Sequence, residues 1–102
     1  MLLKAKPVRS EAYRRYVASQ PCMACGIEGY SQCAHANGGG MGTKASDLDT
    51  FPLCCARPGH IGCHAQFDLC IDMTKSQRRE LTAGYIMLMQ ARARRDGRPE
   101  FA

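Results

Sequence analysis

Residues 51–68 read FPLCCARPGHIGCHAQFD, and upstream of them residues 20–35 read QPCMACGIEGYSQCAH. Cys22 and Cys25 make a Cys-x2-Cys knuckle directly after Pro21, Cys54 ends the FPLC run, and Cys63 stands just before His64. Four thiolates delivered as two pairs from distant segments can close a tetrahedron around Zn²⁺. Such a metal binds only deprotonated sulfur and fixes the two turns against each other. Cys22, Cys25, Cys54 and Cys63 are therefore the expected structural zinc ligands. Cys55 competes with Cys54, but two adjacent residues cannot easily face one ion, and Leu53-Cys54 continues a strand pattern. His60 competes with Cys63 for the fourth position. Cys33 and Cys70 read as small buried hydrophobes.

Working outward, 102 residues make one domain with a thin core, the size at which a staple helps. Seven cysteines is an odd count, so a disulfide framework would leave one thiol over. The opening MLLKAKPVRS has only a short apolar run before lysine, unlike a secretory segment. No apolar stretch approaches the roughly 18–20 residues that span a bilayer. These features favour a reduced, cytoplasmic, metal-binding chain with no membrane association. The net charge of +5 is unevenly spread. Lys4, Lys6, Arg9, Arg14 and Arg15 dominate the first twenty residues, and Arg78, Arg79, Arg92, Arg94 and Arg95 lie in the C-terminal third. The centre is acidic, with Glu28, Asp47, Asp49, Asp68 and Asp72. Basic flanks around an acidic, cation-binding centre suit a polyphosphate partner.

Ser10 is a suitable N-cap for a helix over about residues 10–20, stopped by Pro21, with Ala12, Tyr13, Tyr16 and Val17 inward and Arg14 and Arg15 outward. GYSQCAHA and LDTFPLC read as short strands, the second limited by Pro52 to an edge or a partial ladder. NGGGMGTKAS between them, with Gly38–Gly42, is a loop. A short helix is expected from about Ile61, carrying Cys63, His64, Phe67 and Asp68. A longer one over about residues 76–95 is capped by Thr74 or Ser76 and buries Leu81, Tyr85, Leu88 and Met89. The tail DGRPEFA is expected to fray. His64 and Asp68 are one turn apart on the short helix, so both can reach one divalent cation.

The string CMAC…SQCAH…GGGMGTKASD…FPLC…CHAQFD resembles the HNH endonuclease superfamily, the ββα-metal or His-Me finger nucleases. It is most similar to the zinc-containing branch typified by a phage recombination-enhancement nuclease. The likeness covers roughly residues 20–70, within an expected core of about residues 20–72, and the flanking helices are not part of it. It implies a small α+β, zinc-stapled ββα-metal core with flanking N- and C-terminal helices. It also implies a phage-type, metal-dependent DNA endonuclease of little sequence preference, acting in the host cytoplasm. His35 then matches the general base, while His64 and Asp68 match the holders of a catalytic divalent ion such as Mg²⁺. Asp47 or Asp49 fills the middle-motif place, with Asp47 fitting the KASD string better. Lys44 adds a positive contact near the phosphate. Three features depart from the pattern: Ala34 stands where relatives place a metal ligand, the middle asparagine is absent, and eight residues separate Cys54 from Cys63. Imidazole titrates near neutral pH, so a histidine can take a proton from water, and a hard cation offsets charge on a scissile phosphate. Arg78, Arg79, Arg92, Arg94 and Arg95 are the expected contacts to the DNA backbone. The sequence leaves open whether a recombination or packaging protein delivers the substrate. A non-catalytic zinc-stapled DNA-binding module is the alternative reading.

Overall fold

Ser10 caps the first helix, α1 (Glu11–Ala18), by accepting a hydrogen bond from the Tyr13 amide at 3.1 Å. The computed structural model describes residues 8–36 and 46–102. After α1, β1 (Ser31–His35) and β2 (Thr50–Cys54) pair antiparallel, α2 (Cys63–Asp68) follows, and α3 (Lys75–Arg95) leads into a 3-10 turn at Pro99–Phe101. The register sets Gln32 opposite Leu53, Ala34 opposite Phe51, Cys33 opposite Pro52 and His35 opposite Thr50. Side chains alternate along a strand, so Gln32 and Ala34 face one way and Cys33 and His35 the other. Among the described residues the sheet has two strands, each with a free edge, which is where Pro52 is tolerated. The Pro52 carbonyl instead accepts the Met23 amide at 2.9 Å and ties the knuckle to β2.

The core is small and continuous. Tyr13 and Val17 of α1 pack on one side of the hairpin, while Phe51 and Leu53 supply the centre. Phe51, Phe67 and Tyr85 form a ring cluster with centroids 5.4–6.0 Å apart, joining β2 to α2 and α3. Ala12 is exposed rather than inward, and the guanidinium of Arg14 turns back to Asp47 at 3.2 Å.

Thr74, not Ser76, caps α3: its hydroxyl accepts the Gln77 amide while the Gln77 side chain accepts the Thr74 amide, a complete capping box. The buried face of α3 also differs from expectation. Met89 and Ala93 are fully buried and Tyr85 and Ile86 pack against them, but Leu81 and Leu88 are exposed. Apolar residues lie on several sides of this helix, so sequence spacing does not select one face, and the ring cluster around Phe51 decides the rotation. The C-terminal tail is docked, not frayed. Phe101 meets the Tyr13 ring edge-on at 5.6 Å, and Glu100 pairs with Arg98 at 2.9 Å while accepting a hydrogen bond from Ser10. No helix of the described residues is long and apolar enough to cross a membrane.

Gly62, the residue before α2, has φ +95°, and a Cβ there would lie 2.6 Å from the Cys55 carbonyl carbon and 2.8 Å from the Cys54 oxygen. Backbone cannot yield as a flexible side chain does. Gly62→Ala is expected to cost at least about 2 kcal/mol in chemical unfolding of the metal-loaded protein, through strain at positive φ plus the clash. An unfolding midpoint equal to that of the parent would contradict this account.

Candidate metal centre and polar clusters

The sulfur cluster is built by three turns. In the first, the Gly26 amide donates to the Cys22 carbonyl at 2.8 Å and the Cys22 amide to the Ile27 carbonyl at 2.9 Å, curling Cys22 and Cys25 inward. In the second, residues 55–62 form a miniature hairpin. Arg57 and His60 exchange both backbone hydrogen bonds at 2.9 Å across Pro58-Gly59, with φ +80° at Gly59, the residue pair a type II turn demands. The third is the tight entry into α2 through Gly62, which returns Cys63 to Cys54. The eight-residue spacing is thus closed by the short hairpin.

As a result, one sulfur from each of Cys22, Cys25, Cys54 and Cys63 lies within 4.8 Å of the other three. A tetrahedral Zn²⁺ with bonds of about 2.3 Å needs sulfurs roughly 3.8 Å apart. The Cys25 and Cys54 sulfurs are 3.8 Å apart, so the set fits such an ion. Three of the four are buried, and Cys25 alone is exposed. Burial opposes ionisation of Cys54. The Cys63 amide at 3.3 Å and the Arg57 guanidinium at 3.3 Å outweigh it, and the thiol is pulled down to about 6. Burial pushes the Cys63 thiol upward, and its sulfur neighbours add to the shift. Together these four residues can hold a metal ion, which would supply the ionising charge that the last thiol lacks. His60 is not a competitor, because its Nδ1 accepts the Gly62 amide at 2.8 Å within the turn. Cys55 turns away and lines a separate cleft.

That cleft, of about 520 Å³, lies beside α2 and includes Gln32, Cys55, Ile61, His64 and Asp68 in its lining. His64 Nε2 stands 3.5 Å from the Asp68 carboxylate, and Nδ1 lies 3.0 Å from the Gln32 carbonyl oxygen. Both ring nitrogens thus face acceptor oxygens, one of an amide and one of a carboxylate. Two donors bound to one cation at about 2.1 Å stand roughly 3.0–3.4 Å apart, which this His–Asp spacing approaches.

The other polar cluster centres on Asp47, which is 2 % exposed. Its carboxylate accepts from the Ser10 amide at 2.8 Å, Arg14 at 3.2 Å, Arg9 at 3.4 Å and His35 Nε2 at 2.9 Å. Burial alone would raise its pKa, but the His35 and Ser10 hydrogen bonds and the Arg14 charge prevail, and it falls below the usual range. Asp49 does something else: its carboxylate and the Leu48 carbonyl accept from the Gln90 side chain, anchoring α3.

Hydrogen bonding therefore joins His35 to Asp47 and His64 to Gln32, and the register turns Gln32 and His35 to opposite faces of the hairpin. Among the described residues these are two clusters, with no hydrogen bond or ion pair joining them. Lys44 and Gly38–Gly42 lie outside the described residues. Of the arginines expected on nucleic acid, Arg78 lies over the Phe67 ring and donates to the Asp68 carbonyl at 3.2 Å, docking α3 onto α2. Arg94 covers the Phe101 ring, Arg92 reaches Gln20, and Arg79 and Arg95 are exposed. Sequence reading missed Gln32, Arg57 and the role of Arg9 and Arg14 at Asp47. All but Arg57 are joined to partners more than thirty residues away in the chain, and no local pattern marks them.

Purified protein should bind one zinc per chain. Cys25→Ser, at the exposed ligand, should release it and lower the melting temperature by roughly 10 °C or more without leaving a core cavity. Full zinc retention in that variant, measured by atomic absorption, would exclude the four-sulfur site. Asp47→Asn should destabilise the fold by about 1–3 kcal/mol at neutral pH. A depressed carboxyl contributes stability above its unfolded value of about 3.9, and that contribution disappears as pH falls through the lower folded value. The gap between parent and variant in urea unfolding should accordingly close in acid; a pH-independent gap would refute the ionic account.

Comparison with known proteins places these features in context. A segment of 47 residues is 47% identical to the uncharacterized protein YdfU of Escherichia coli (strain K12), covering 43% of this chain and 13% of that protein. This chain thus matches only a small part of the length of that relative. No solved structure matches it. Residues 2–68, which include both polar clusters and all four clustered cysteines, match the family described as protein of unknown function (DUF968). The chain belongs to the DUF968 family.

Proposed function

We propose that this protein is a metal-dependent DNA endonuclease of the HNH, ββα-metal type, hydrolysing phosphodiester bonds with His35 as general base. The observation that carries the reading is the His35–Asp47 contact at the end of β1, in a strand–strand–helix unit whose helix carries His64 and Asp68. Asp47 accepts from His35 Nε2, so in a neutral ring Nδ1 is the nitrogen left to take a proton. The His35 side chain is 39% exposed, which lets water reach that nitrogen. Asp47 fixes the tautomer and ring orientation and stabilises the imidazolium formed once a proton is taken. Arg9 and Arg14, each about half exposed beside Asp47, can bind an anionic substrate there. On the other face, His64 and Asp68 would hold the catalytic divalent ion, with Gln32 orienting the His64 ring. Such an ion, when bound, neutralises charge on the scissile phosphate and leaving oxygen. Zn²⁺ on the four cysteines would be structural. DNA enters as the partner whose backbone matches the exposed arginines.

A second reading, a non-catalytic zinc-stapled DNA-binding module, is favoured by one observation. The His35 and His64 clusters lie on opposite faces of the hairpin, and Ala34 between them offers no ligand.

Plasmid nicking with Mg²⁺, Mn²⁺ or Ni²⁺ separates the two. For the nuclease, His35→Ala and His64→Ala should each lower cleavage by about 100-fold or more while keeping fold and zinc. Unchanged cutting by His35→Ala removes the base assignment. Salt-dependent gel shifts with no cleavage in any metal establish the binding module instead.

A further inference from the structure

The outer face of α3 carries a feature that neither the metal centre nor the polar clusters use. Gln77, Leu81, Gly84, Leu88, Ala91 and Arg95 follow one another at spacings of four and three residues, the repeat of a helix–helix seam. This line lies on the side of α3 away from the buried Met89 and Ala93. Leu81 is 39% exposed and Leu88 61% exposed, large apolar side chains on a helix that has its core contacts elsewhere. Between them Gly84 is open: a Cβ there would meet nothing within 4 Å. A glycine inside a helix weakens it relative to other residues, and nothing in the monomer requires this one. The seam also runs through two hollows. One, of about 610 Å³, includes Leu81, Gly84, Leu88, Asp72 and Glu80 in its lining; the other, of about 310 Å³, is lined by Leu88, Ala91, Arg92 and Arg95.

The two hollows carry opposite charge. The N-terminal one is flanked by carboxylates, the C-terminal one by guanidinium groups, and leucines alternate with small residues along the line. We propose that this face is a self-association surface on which a second copy of the chain lays its own α3 antiparallel, about a two-fold axis that crosses the seam midway between Gly84 and Leu88. In that register Leu88 of each copy fills the space over Gly84 of the other, and Leu81 packs against Ala91. Glu80 then lies beside Arg94 of the second copy, and Asp72 lies on the side approached by its Arg92. A parallel pairing would stack leucine on leucine and carboxylate on carboxylate. The interface is isologous, so it closes as a dimer and does not propagate. One helix pair is a small contact, which points to a dissociation constant on the order of micromolar. The inference stands independently of the nuclease reading.

Sedimentation equilibrium of the zinc-loaded chain under reducing conditions tests it. The parent should pass from monomer to dimer across the micromolar range. Gly84→Gln should weaken the dimer by at least about tenfold while raising the melting temperature of the dilute protein, because glutamine is the better helix former and the monomer has room for it. Glu80→Arg should weaken it as well, and Glu80→Arg combined with Arg94→Glu should restore it. A chain that stays monomeric to about 1 mM overturns the proposal, as interfaces of any biological consequence associate below that. A dimer indifferent to Gly84→Gln, or one that the charge exchange fails to rescue, overturns it equally.

Discussion

The convergence of four sulfurs is the constraint on which the rest of this small fold depends. The sheet has two strands and the buried apolar set is short, so hydrophobic burial alone leaves the knuckle and the 55–62 hairpin weakly held. Each element of the unit answers to the sulfur cluster. Cys54 ends β2, Cys63 starts α2, and the knuckle is tied to β2 through Met23 and Pro52. A metal bound there would join three turns and a helix start at one point. Arg57, donating to the Cys54 sulfur and stacked on the Tyr30 ring at 5.5 Å, places positive charge beside the one thiol of the site that is pulled down.

Asp47 performs a comparable task with charge instead of sulfur. It is a buried carboxylate satisfied by a backbone amide, two guanidinium groups and an imidazole, which is why burying it is tolerable. Those partners come from the segment before α1, from α1 itself and from the end of β1. Ser10 extends the network, because its hydroxyl caps α1 and reaches Glu100 in the C-terminal tail. Residues 9 and 10 and the C-terminal tail thereby share one network with His35. This gives a physical reason for the docked tail: Phe101 and Glu100 have partners waiting on α1.

The hairpin separates two chemistries by simple alternation. Even-numbered positions of β1 look toward α2, where Gln32 meets His64; odd-numbered positions look toward α1, where His35 meets Asp47. His35 is the last residue of β1, and the nuclease reading requires it to act on a substrate that also meets His64 and Asp68.

Much of the outline was legible in the sequence because it rests on local rules. Ser10 and Thr74 are capping residues in capping contexts, the paired cysteines announce a common ligand site, and the one-turn spacing of His64 and Asp68 puts them on one helix face. The choice of Asp47 over Asp49 beside His35 is geometric, since only one of two nearby carboxylates turns inward. Other features were decided by tertiary structure alone. The rotation of α3, which buries Met89 and Ala93 and leaves Leu81 and Leu88 outside, follows from the ring cluster of Phe51, Phe67 and Tyr85, not from spacing, because α3 carries apolar residues on more than one face. The assignment of Arg9 and Arg14 to Asp47, and of Gln32 to His64, likewise needs contacts across more than thirty residues of chain, which one-dimensional periodicity does not encode.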